Sequence, residues 1–351
     1  MKILITGGFG NVGRSAVAAC LDDGHEVTVF DTPRTFEKNG KGLKALIRTG
    51  WRGCRILFGD IRKKEDLERA LASVSGGPDA VIHLAALIPP VADRDEALTE
   101  SINVGGTLAL LDACASLPRK PKIVFASSIA IYGDRISEPW ISTSDPVRPN
   151  DLYARTKAAC EEAIRSSGLE YSILRLSYVV WAKWFPFDPL LYSMPLATKI
   201  EIIHTEDAGR AFAKAAADPR ASGKILDIGG GAACRTSFDV FLERIFFHFG
   251  LGGAKFLPRN AFASSGFHCG WYADSDEAEA LLGFRRKNLE DFYEEVRWEE
   301  RFVRPFARLV APSIKRWLVG KSPRLAEERK KAKIREGADP KPLRLSRQER
   351  R

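Results

Sequence analysis

Short runs of apolar residues alternate along the chain with longer segments in which apolar residues recur three and four positions apart. The short runs predict buried strands, and they lie at residues 3–6, 26–30, 55–58, 80–84, 122–126 and 172–176. The helical spacing predicts amphipathic helices between them, at residues 12–22, 64–72, 103–115 and 153–166. This alternation predicts an α/β fold of Rossmann type, a doubly wound parallel sheet covered by helices, with ligands at the carboxyl ends of the strands.

The pattern changes after residue 177, which predicts a core and a set of covering elements. We expect one domain over residues 1–300, with a Rossmann core at about 1–177 to which segments 203–230 return, and a small C-terminal substrate lobe from segments 178–202 and 231–300. Elements that return to the core are expected at 225–229, 237–249 and 274–284. The stretch WAKWFPFDPLLYSMP from residue 181 either covers an apolar or flat substrate or packs on its own core or on a dimer partner. Its aromatic residues are Trp181, Trp184, Phe185, Phe187 and Tyr192.

The positive charge of the chain is concentrated at its C-terminus. The formal net charge is +9, but residues 301–351 hold 17 Lys or Arg against 5 Asp or Glu, which leaves the first 300 residues at −3. The body is nearly neutral, so nucleic-acid binding is not expected. Segment 301–320 is amphipathic and basic, and its residues 302–319 allow either peripheral contact with an anionic membrane or docking on the body. Residues 321–351 are basic and low in apolar residues, so a flexible tail is expected.

Composition narrows the class of protein further. A hydrophobic content of 45% is typical of a globular chain. The six cysteines are scattered without a CxxC pair, so neither a metal site nor a disulfide framework is expected, and a cytoplasmic location fits. The N-terminus lacks the features of a signal peptide, and no stretch reaches the roughly 18 uncharged apolar residues of a membrane span.

The segment KILITGGFGNVG places glycines at GxxGxxG spacing between the first strand and the first helix. Glycine permits a tight turn and a close approach of the backbone to pyrophosphate, and the helix N-terminus favours its negative charge. The predicted dinucleotide-binding residues of this loop are Thr6, Gly7, Gly10, Asn11, Val12 and Gly13.

Two acidic residues follow the next strands. Asp31 ends the second strand, where a carboxylate accepts the hydroxyls of an adenine ribose, so NAD is favoured over NADP. Arg34 lies nearby and blurs this preference. Asp60, with its neighbour Ile61, follows the third strand. Asp60 is interpreted either as a partner of the adenine amino group or as a cap of the following helix.

The sequence YARTK places Tyr153 and Lys157 on one face of a helix. A lysine cation near a phenol lowers the phenol pKa from about 10 toward working pH, so that the tyrosine can exchange a proton with a substrate hydroxyl. This spacing is common on solvated helix faces, but here it follows SSIAIYG at the end of a predicted strand. Ser128 is placed to hydrogen-bond the same substrate oxygen, although Ser127 and Ser128 have the alternative of capping a turn.

Together these motifs resemble the extended short-chain dehydrogenase/reductases, the NAD-dependent epimerase/dehydratase family. The resemblance spans roughly residues 1–300 and rests on TGGFGNVG, Asp31, GDI, HLAA at 83–86, Asn103, SSIAIYG, YARTK, ILR at Arg175, TEDAGRAFAKA and GKILDIGGG. It implies a catalytic triad of Ser128, Tyr153 and Lys157, with Tyr153 as acid/base and Lys157 also holding the nicotinamide ribose. It further implies that Asn103 supports the proton relay, that the cofactor is lined by Leu84, Ala85 and Ala86, and that a homodimer pairs through helix 153–166.

The sequence departs from this family at positions that concern the substrate. In the family's sugar-nucleotide 4,6-dehydratases an Asp-Glu pair follows the catalytic hydroxyl, whereas Ile129 and Ala130 follow Ser128, so that elimination is not expected. The UDP-hexose 4-epimerases that the chain resembles hold the diphosphate with two arginines. Ile200 and Ser264 occupy those positions, with Lys199 and Arg259 as nearby substitutes.

Two hypotheses about function remain. The leading one is an NAD-dependent oxidoreductase that transfers a hydride at a secondary alcohol or ketone carbon, either as a net dehydrogenase/reductase or as an epimerase. Its substrate is a small molecule, either a sugar nucleotide or a more apolar hydroxy compound. The alternative is a non-catalytic NAD(P)-sensing binding protein of the same fold, against which the intact Ser, Tyr and Lys set counts.

Overall fold

A computed structural model describes residues 1–37, 44, 47, 50–51, 53–182, 189–253, 257–264 and 266–338 of the chain. Its strands are β1 (Lys2–Thr6), β2 (Glu26–Asp31), β3 (Arg55–Phe58), β4 (Ala80–His83), β5 (Lys122–Ser128), β6 (Trp140–Ile141), β7 (Tyr171–Leu176), β8 (Tyr178–Val180), β9 (Lys199–His204), β10 (Lys224–Ile228), β11 (Arg235–Ser237) and β12 (Trp271–Tyr272). Its α-helices are α1 (Asn11–Asp22), α2 (Lys64–Ala72), α3 (Glu96–Glu100), α4 (Gly106–Ala115), α5 (Leu152–Ser166), α6 (Thr205–Ala217), α7 (Phe238–His248), α8 (Ser275–Leu282), α9 (Leu289–Glu299), α10 (Arg304–Lys321) and α11 (Pro323–Ala338).

The central sheet is parallel throughout. Among the described residues it has seven strands in the order β10-β7-β5-β4-β1-β2-β3. All six predicted strands belong to it, and the returning segment 225–229 supplies the edge strand β10. The chain order reverses between β1 and β4, and a crevice at such a reversal is where Rossmann-type folds bind ligands. The predicted α/β fold class is therefore confirmed.

Burial on both faces explains why the central strands are almost continuously apolar. Ile3 and Ile5 in β1 and Val81 and Ile82 in β4 have no solvent exposure. Parallel strands covered by helices on both sides have no solvent face to mark with polar residues. Each such side chain contributes about 1.5–3 kcal/mol relative to an exposed one.

Helices α1 and α6 pack against each other unusually closely. A Cβ atom added at Gly209 in α6 would lie 2.4 Å from the carbonyl carbon of Ser15 in α1. Ala16 and Phe212 are fully buried in the same apolar cluster. Because α1 carries the glycine-rich loop at its N-terminus, this contact fixes the position of the loop relative to the core.

The C-terminal lobe is built on two further sheets. Within the described residues these are a three-stranded sheet, β11-β9-β8, and a two-stranded one, β12-β6. Helices α7 and α9 pack on them through Phe241 and Tyr293, which lie in one buried cluster. Helix α8, in the segment 274–284 that was expected to return to the core, packs Ala278 and Leu282 into the cluster of the Rossmann core. It does so because it lies against β10 at the sheet edge.

The C-terminal segment departs from the expected flexible tail, because residues 323–338 form helix α11. The Ser322 hydroxyl donates to the carbonyl oxygen of Ala261 at 2.8 Å, and Leu325 packs on the lobe. The pair Lys331 and Glu327, four residues apart, supports the helix further. The rest of that tail, residues 339–351, lies outside the described residues, as do Trp184, Phe185 and Phe187. No helix in the described part of the chain is long and apolar enough to cross a membrane.

Candidate active site

The glycine-rich loop turns sharply between β1 and α1. Gly7 has a φ of +73°, and a Cβ added to it would lie 2.6 Å from the backbone nitrogen of Ala85. A Cβ on Gly13 would lie 2.2 Å from the carbonyl oxygen of Gly7. Gly10 caps α1 without a side chain, so no side-chain group competes for the first backbone N–H groups of the helix. Such N–H groups at a positive helix end suit a phosphate.

Asp31 supports this loop from the end of β2. Its carboxylate accepts hydrogen bonds from the backbone N–H of Phe9 at 2.9 Å and of Thr32 at 2.7 Å. Burial raises the pKa of Asp31, although these hydrogen bonds offset part of the effect. The predicted ribose partner therefore also holds the loop in place. Arg34, which blurred the choice of cofactor, is exposed.

Asp60 lies where predicted, after β3, but its carboxylate is engaged by a neighbour. Nε of Arg62 donates to it at 2.9 Å, and the backbone N–H of Arg62 donates at 3.0 Å. The hydrogen bond from the Arg62 side chain lowers the pKa of Asp60. Asp60 thus closes a turn ahead of α2, whose N-cap is Lys63. Ile61 is buried against Gly106, so its side chain belongs to the core.

A chain of buried hydrogen bonds connects the glycine-rich loop to helix α4. No sequence motif predicted this chain. Oγ1 of Thr6 lies 2.7 Å from Nδ1 of His83, and Nε2 of His83 lies 2.9 Å from Oγ1 of Thr107. Thr107 donates to the carbonyl oxygen of Asn103, so Nε2 of His83 carries the proton and Nδ1 accepts from Thr6. Burial lowers the pKa of His83 to about 3, which keeps this residue neutral.

Asn103 joins the segment that follows β4 to the helix that carries Tyr153. It lies in a π-helical turn, Ser101–Gly105, directly before α4. Its amide accepts from the N–H of Leu87 at 2.8 Å, and it donates to the Leu87 carbonyl oxygen and to Oγ1 of Thr156 in α5. The segment with Leu84, Ala85 and Ala86 is thereby held beside both α5 and the glycine-rich loop. These contacts give Asn103 a positioning role.

Ser128, Tyr153 and Lys157 come together where β5 meets α5. The Ser128 hydroxyl lies close enough to the Tyr153 phenol to lower its pKa, and it accepts from the N–H of Ala130 at 3.2 Å. Nζ of Lys157 donates to the carbonyl oxygen of Ala126 at 2.6 Å and lies 5.7 Å from the centre of the Tyr153 ring. The structure thus places all three predicted residues in one cluster.

The electrostatics of this cluster differ from the sequence-based expectation for Tyr153. Burial raises the pKa of Tyr153, and the hydrogen bond from Ser128 offsets only part of that effect. Burial also lowers the pKa of Lys157 to about 8, so the ammonium group remains mostly charged at neutral pH. The expected lowering of the phenol pKa is not found, because the lysine cation is bound to a carbonyl oxygen rather than to the phenol.

A buried ion pair lies one helical turn beyond Lys157. Nη2 of Arg175 in β7 lies 2.7 Å from Oε2 of Glu161 in α5, and both side chains are almost fully buried. Ser127 donates to the same carboxylate, so Ser127 serves this pair rather than the substrate. Arg175 also donates to the Tyr132 hydroxyl at 2.7 Å, which in turn donates to Asp227 in β10. The motifs that carry the resemblance include Arg175, Tyr132 and Asp227, whereas no motif marked Glu161.

His268 reaches the N-terminus of the same helix from the lobe, and no sequence signal pointed to it. Its Nδ1 lies 3.4 Å from Oδ2 of Asp151, the residue that caps α5 by accepting from the N–H of Ala154. Burial raises the pKa of Asp151, but hydrogen bonds from His268 and Ala154 outweigh it and leave this pKa below its ordinary value. The lobe therefore closes over the end of the helix that bears Tyr153.

The two positions at which UDP-hexose 4-epimerases are expected to carry diphosphate-binding arginines have other residues in this chain. Ile200 is fully buried, and Ser264 is exposed. Of the suggested substitutes, Arg259 is exposed, and Nζ of Lys199 lies 5.5 Å from the centre of the Trp271 ring. Ile129 and Ala130 are buried, so the pair expected in a 4,6-dehydratase has no counterpart there.

The aromatic segment after β8 packs at least partly on its own lobe. The Tyr192 hydroxyl donates to the carbonyl oxygen of Leu318 in α10 at 2.8 Å, and its ring lies 5.2 Å from that of Phe262. Tyr192 therefore belongs to the lobe core and not to a substrate surface.

A glycine-rich turn at the switch point of a parallel sheet, next to a Ser, Tyr and Lys cluster, defines a Rossmann-type dinucleotide-binding protein. The model of the NAD dependent epimerase/dehydratase family matches residues 3–183. The chain belongs to this family, which confirms the resemblance drawn from the motifs.

Curated relatives match about half of the chain. UDP-glucose 4-epimerase 4 of Oryza sativa subsp. japonica is 34% identical over 189 residues, which are 50% of this chain and 48% of that protein. UDP-glucose 4-epimerase of Corynebacterium glutamicum is 31% identical over 179 residues, 50% of each chain. D-erythronate dehydrogenase of Cupriavidus necator is 29% identical over 167 residues, 46% of this chain and 48% of that one. The chain spans about half the length of these relatives.

Solved structures support the fold over a longer stretch. A UDP-glucose 4-epimerase from Stenotrophomonas maltophila, with bound NAD and formylated UDP-arabinopyranose, gives a TM-score of 0.70 at 20% identity, covering 88% of this chain and 99% of that one. The UDP-glucose 4-epimerase of Bifidobacterium longum, in complex with NAD+ and UDP, gives 0.68 at 21% identity, covering 87% and 99%. At this level of identity the likeness concerns the fold alone.

Proposed function

We propose that the protein is an NAD-dependent oxidoreductase or epimerase that acts at a secondary alcohol or ketone carbon, with Tyr153 as acid/base. The observation that carries this proposal is the cluster of Ser128, Tyr153 and Lys157 at the carboxyl end of β5. Asn103 ties the helix that carries this cluster to the segment beside the glycine-rich loop. A dinucleotide held at this loop would therefore lie in the same crevice as the proposed proton acceptor.

The residues at the loop fit a dinucleotide. The tight turn at Gly7, the close packing at Gly13 and the uncapped start of α1 form a cradle that a pyrophosphate would fill. We assign its N–H groups at Asn11, Val12 and Gly13 to the pyrophosphate, and Asp31 to the adenine ribose. The remaining assignments are Thr6, Gly10, Asp60, Ile61, Leu84, Ala85 and Ala86 along the cofactor, with Tyr153 and Lys157 at its nicotinamide end. Bound NAD supplies the hydride acceptor of the reaction.

Proton transfer in this proposal passes through Oη of Tyr153. Because the raised pKa keeps the phenol protonated, Tyr153 can donate its proton to the substrate oxygen when a ketone is reduced. In the oxidative direction the phenolate must accept the alcohol proton, a state that the Lys157 cation would stabilise only by leaving the Ala126 carbonyl oxygen for the phenol. We assign Ser128 to orient the phenol, because its hydroxyl lies close enough to lower the pKa of Tyr153.

Two alternative classes of substrate are proposed. A sugar nucleotide is supported by the relatives named as UDP-glucose 4-epimerases. A more apolar hydroxy compound is supported by Ile200, which is buried where those epimerases are expected to carry an arginine. A non-catalytic NAD(P)-sensing protein needs no Tyr and Lys pair of this geometry, so it is the weaker alternative.

The test is a substrate screen with purified full-length protein. UDP-sugars, hydroxysteroids and small hydroxy acids are incubated with NAD+, and the reduced-nicotinamide absorbance and the product stereochemistry are both recorded. Accumulating NADH identifies a dehydrogenase, whereas an inverted product without NADH identifies an epimerase. The Tyr153→Phe variant is expected to lose about 10³-fold or more in turnover while it still binds NAD. Tyr171→Phe is the matched control, and full turnover by Tyr153→Phe would refute the mechanism.

We further propose a homodimer that pairs through α5. The outer face of this helix exposes Ala159 between Arg155 and Glu162, and a small residue lets two helices approach closely. Light scattering is expected to show a dimer for the wild type and a monomer for Ala159→Arg.

A reducing, cytoplasmic location is also proposed, because all six cysteines are free and five of them are buried. Contact of residues 302–319 with a membrane is a separate proposal, which rests on the surface of α10.

A further inference from the structure

Helix α10 has two apolar faces, and only one of them is covered. Ala307 and Leu318 are buried against the lobe, and Ala311 and Ile314 pack on the same cluster. This inner face explains why the helix docks. A second face, here called the outer face, consists of Phe306, Leu309, Val310 and Trp317, and Phe302 lies in the turn before the helix.

The side chains of the outer face point into solvent. Phe306 is 71% exposed, Leu309 is 80% exposed and Trp317 is 51% exposed. These residues lie three, four and seven to eight positions apart, so they form one stripe along the helix. Single exposed apolar residues are ordinary, but a contiguous stripe that includes two aromatic rings marks an interaction surface.

The charge of this segment has a single sign. Residues 301–321 include Arg301, Arg304, Arg308, Lys315, Arg316 and Lys321 and no acidic residue. The guanidinium carbon of Arg301 lies 3.9 Å from the centre of the Trp298 ring, and Nζ of Lys321 lies 5.4 Å from that of Trp317. Cations and aromatic rings are thus interleaved on the same surface.

We propose that the outer face of α10 binds the surface of an anionic lipid bilayer, with the helix lying in the plane of the membrane. Aromatic and leucine side chains enter the boundary between headgroups and acyl chains, while arginine and lysine pair with lipid phosphates. No helix among the described residues can span the bilayer, so the contact is peripheral. A second copy fits less well, because a two-fold interface would place Arg308, Lys315 and Arg316 against their own counterparts.

The attachment of α10 to the lobe gives this binding a defined geometry. The Tyr192 hydroxyl bonds the carbonyl oxygen of Leu318, and Tyr192 lies in the segment that follows β8. At the end of α10, the Ser322 hydroxyl donates to the carbonyl oxygen of Ala261 in the lobe. The lobe, rather than the Rossmann core, therefore faces the membrane.

Vesicle sedimentation with the full-length protein tests the proposal. The protein is expected to sediment with vesicles of equal parts phosphatidylcholine and phosphatidylglycerol, less so at high salt, and not with phosphatidylcholine alone. Neutralising Arg308, Lys315 and Arg316 to Gln is expected to weaken binding about a hundredfold, at about fivefold per charge. The double variant Phe306→Ser and Leu309→Ser is expected to lose about tenfold or more. Lys64→Gln and Val240→Ser, which are exposed on α2 and α7, serve as matched controls with unchanged binding.

Two further measurements keep the result independent of variant folding. The emission of the wild-type protein is expected to shift to the blue on addition of the anionic vesicles, and the shift is expected to be smaller in Trp317→Phe. Failure of the wild type to sediment with anionic vesicles would overturn the proposal, as would binding that both sets of substitutions leave unchanged. A dimer that the double variant converts to monomers would assign the outer face to a second copy instead.

Discussion

Lys157 donates a 2.6 Å hydrogen bond from Nζ to the carbonyl oxygen of Ala126, two residues before Ser128 on the same strand. This bond locks the helix that carries Tyr153 to the strand that carries Ser128. The lysine therefore has a structural task beside its proposed chemical one. The two tasks have different pH dependences, which makes them separable by experiment.

Replacing Lys157 by Met is expected to abolish turnover while it stabilises the fold at neutral pH. Burial lowers the pKa of Lys157 to about 8, so burying the charged form costs up to about 3 kcal/mol. Between about pH 8 and the unfolded value of about 10.4 the unfolded chain binds more protons, so wild-type stability rises with pH in that window. Urea unfolding at about pH 7 and about pH 10 should show this rise in the wild type and not in the variant. A rise in both would contradict the assignment.

Breaking the buried ion pair at Glu161 is expected to destabilise the protein strongly. The Glu161→Gln variant leaves the guanidinium group of Arg175 buried without a full counter-charge, which costs about 3–5 kcal/mol. The next residue, Glu162, pairs with Arg165 on the exposed side of the same helix. Glu162→Gln is therefore the matched control and should change the free energy of unfolding by less than about 1 kcal/mol. Equal effects of the two variants would show that burial does not set the strength of the pair.

Asp227 is expected to make the fold less stable as the pH rises. Burial and the nearby Asp274 raise its pKa, and this outweighs the opposing effects of Arg175 and Tyr132. A raised pKa in the folded state contributes stability below the unfolded value of about 3.9, and this contribution is lost as the pH rises through the folded value. The Asp227→Asn variant should remove that slope.

Unfolding measured from about pH 4 to about pH 8 checks the effect of Asp227. Asp276→Asn is the control, because Asp276 is exposed and its hydrogen bond with Arg285 lowers its pKa. An unchanged slope in Asp227→Asn would show that another group titrates.

Alanine at Gly7 is expected to cost more than the strain of its backbone conformation alone. Gly7 and Gly24 have φ values of +73° and +76°, but only at Gly7 does an added Cβ meet another backbone, that of Ala85. Gly24→Ala should cost about 1–2 kcal/mol and leave NAD affinity unchanged. Gly7→Ala should cost more and also reduce NAD affinity, measured by calorimetry. Equal losses of stability would show that the contact with residue 85 is unimportant.

The sequence allowed the sheet and the core of the site to be predicted because both depend on local patterns. Apolar runs marked the strands, glycine spacing marked the turn, and the four-residue spacing marked Tyr153 and Lys157. The chain from Thr6 through His83 to Thr107 was not predictable, because Thr6 and His83 are 77 residues apart in the sequence. The contact between His268 and Asp151 was not predictable either, because the two residues are far apart in the sequence and belong to different lobes.

The errors concerned side chains whose environment decides their behaviour. The spacing of Tyr153 and Lys157 was correct, but the direction of the phenol pKa depends on burial, which spacing does not report. Composition left open whether Tyr192 covers the substrate or packs on its own lobe, and the hydrogen bond from its hydroxyl to α10 supports the second. Residues 321–338 were expected to be flexible from their charge, yet two anchoring residues and paired charges suffice to make most of them helical.

The contact between Gly209 and Ser15 means that an amino-acid substitution far from the crevice can alter the affinity of the crevice for its cofactor. Any side chain at residue 209 pushes against the backbone of the helix whose first turn is assigned to the cofactor. A substitution there would be recorded in a mutational survey as a loss of cofactor affinity, although residue 209 is assigned no contact with the cofactor. Tolerance to mutation in this protein will therefore follow the packing of α1 and α6 rather than distance from Tyr153.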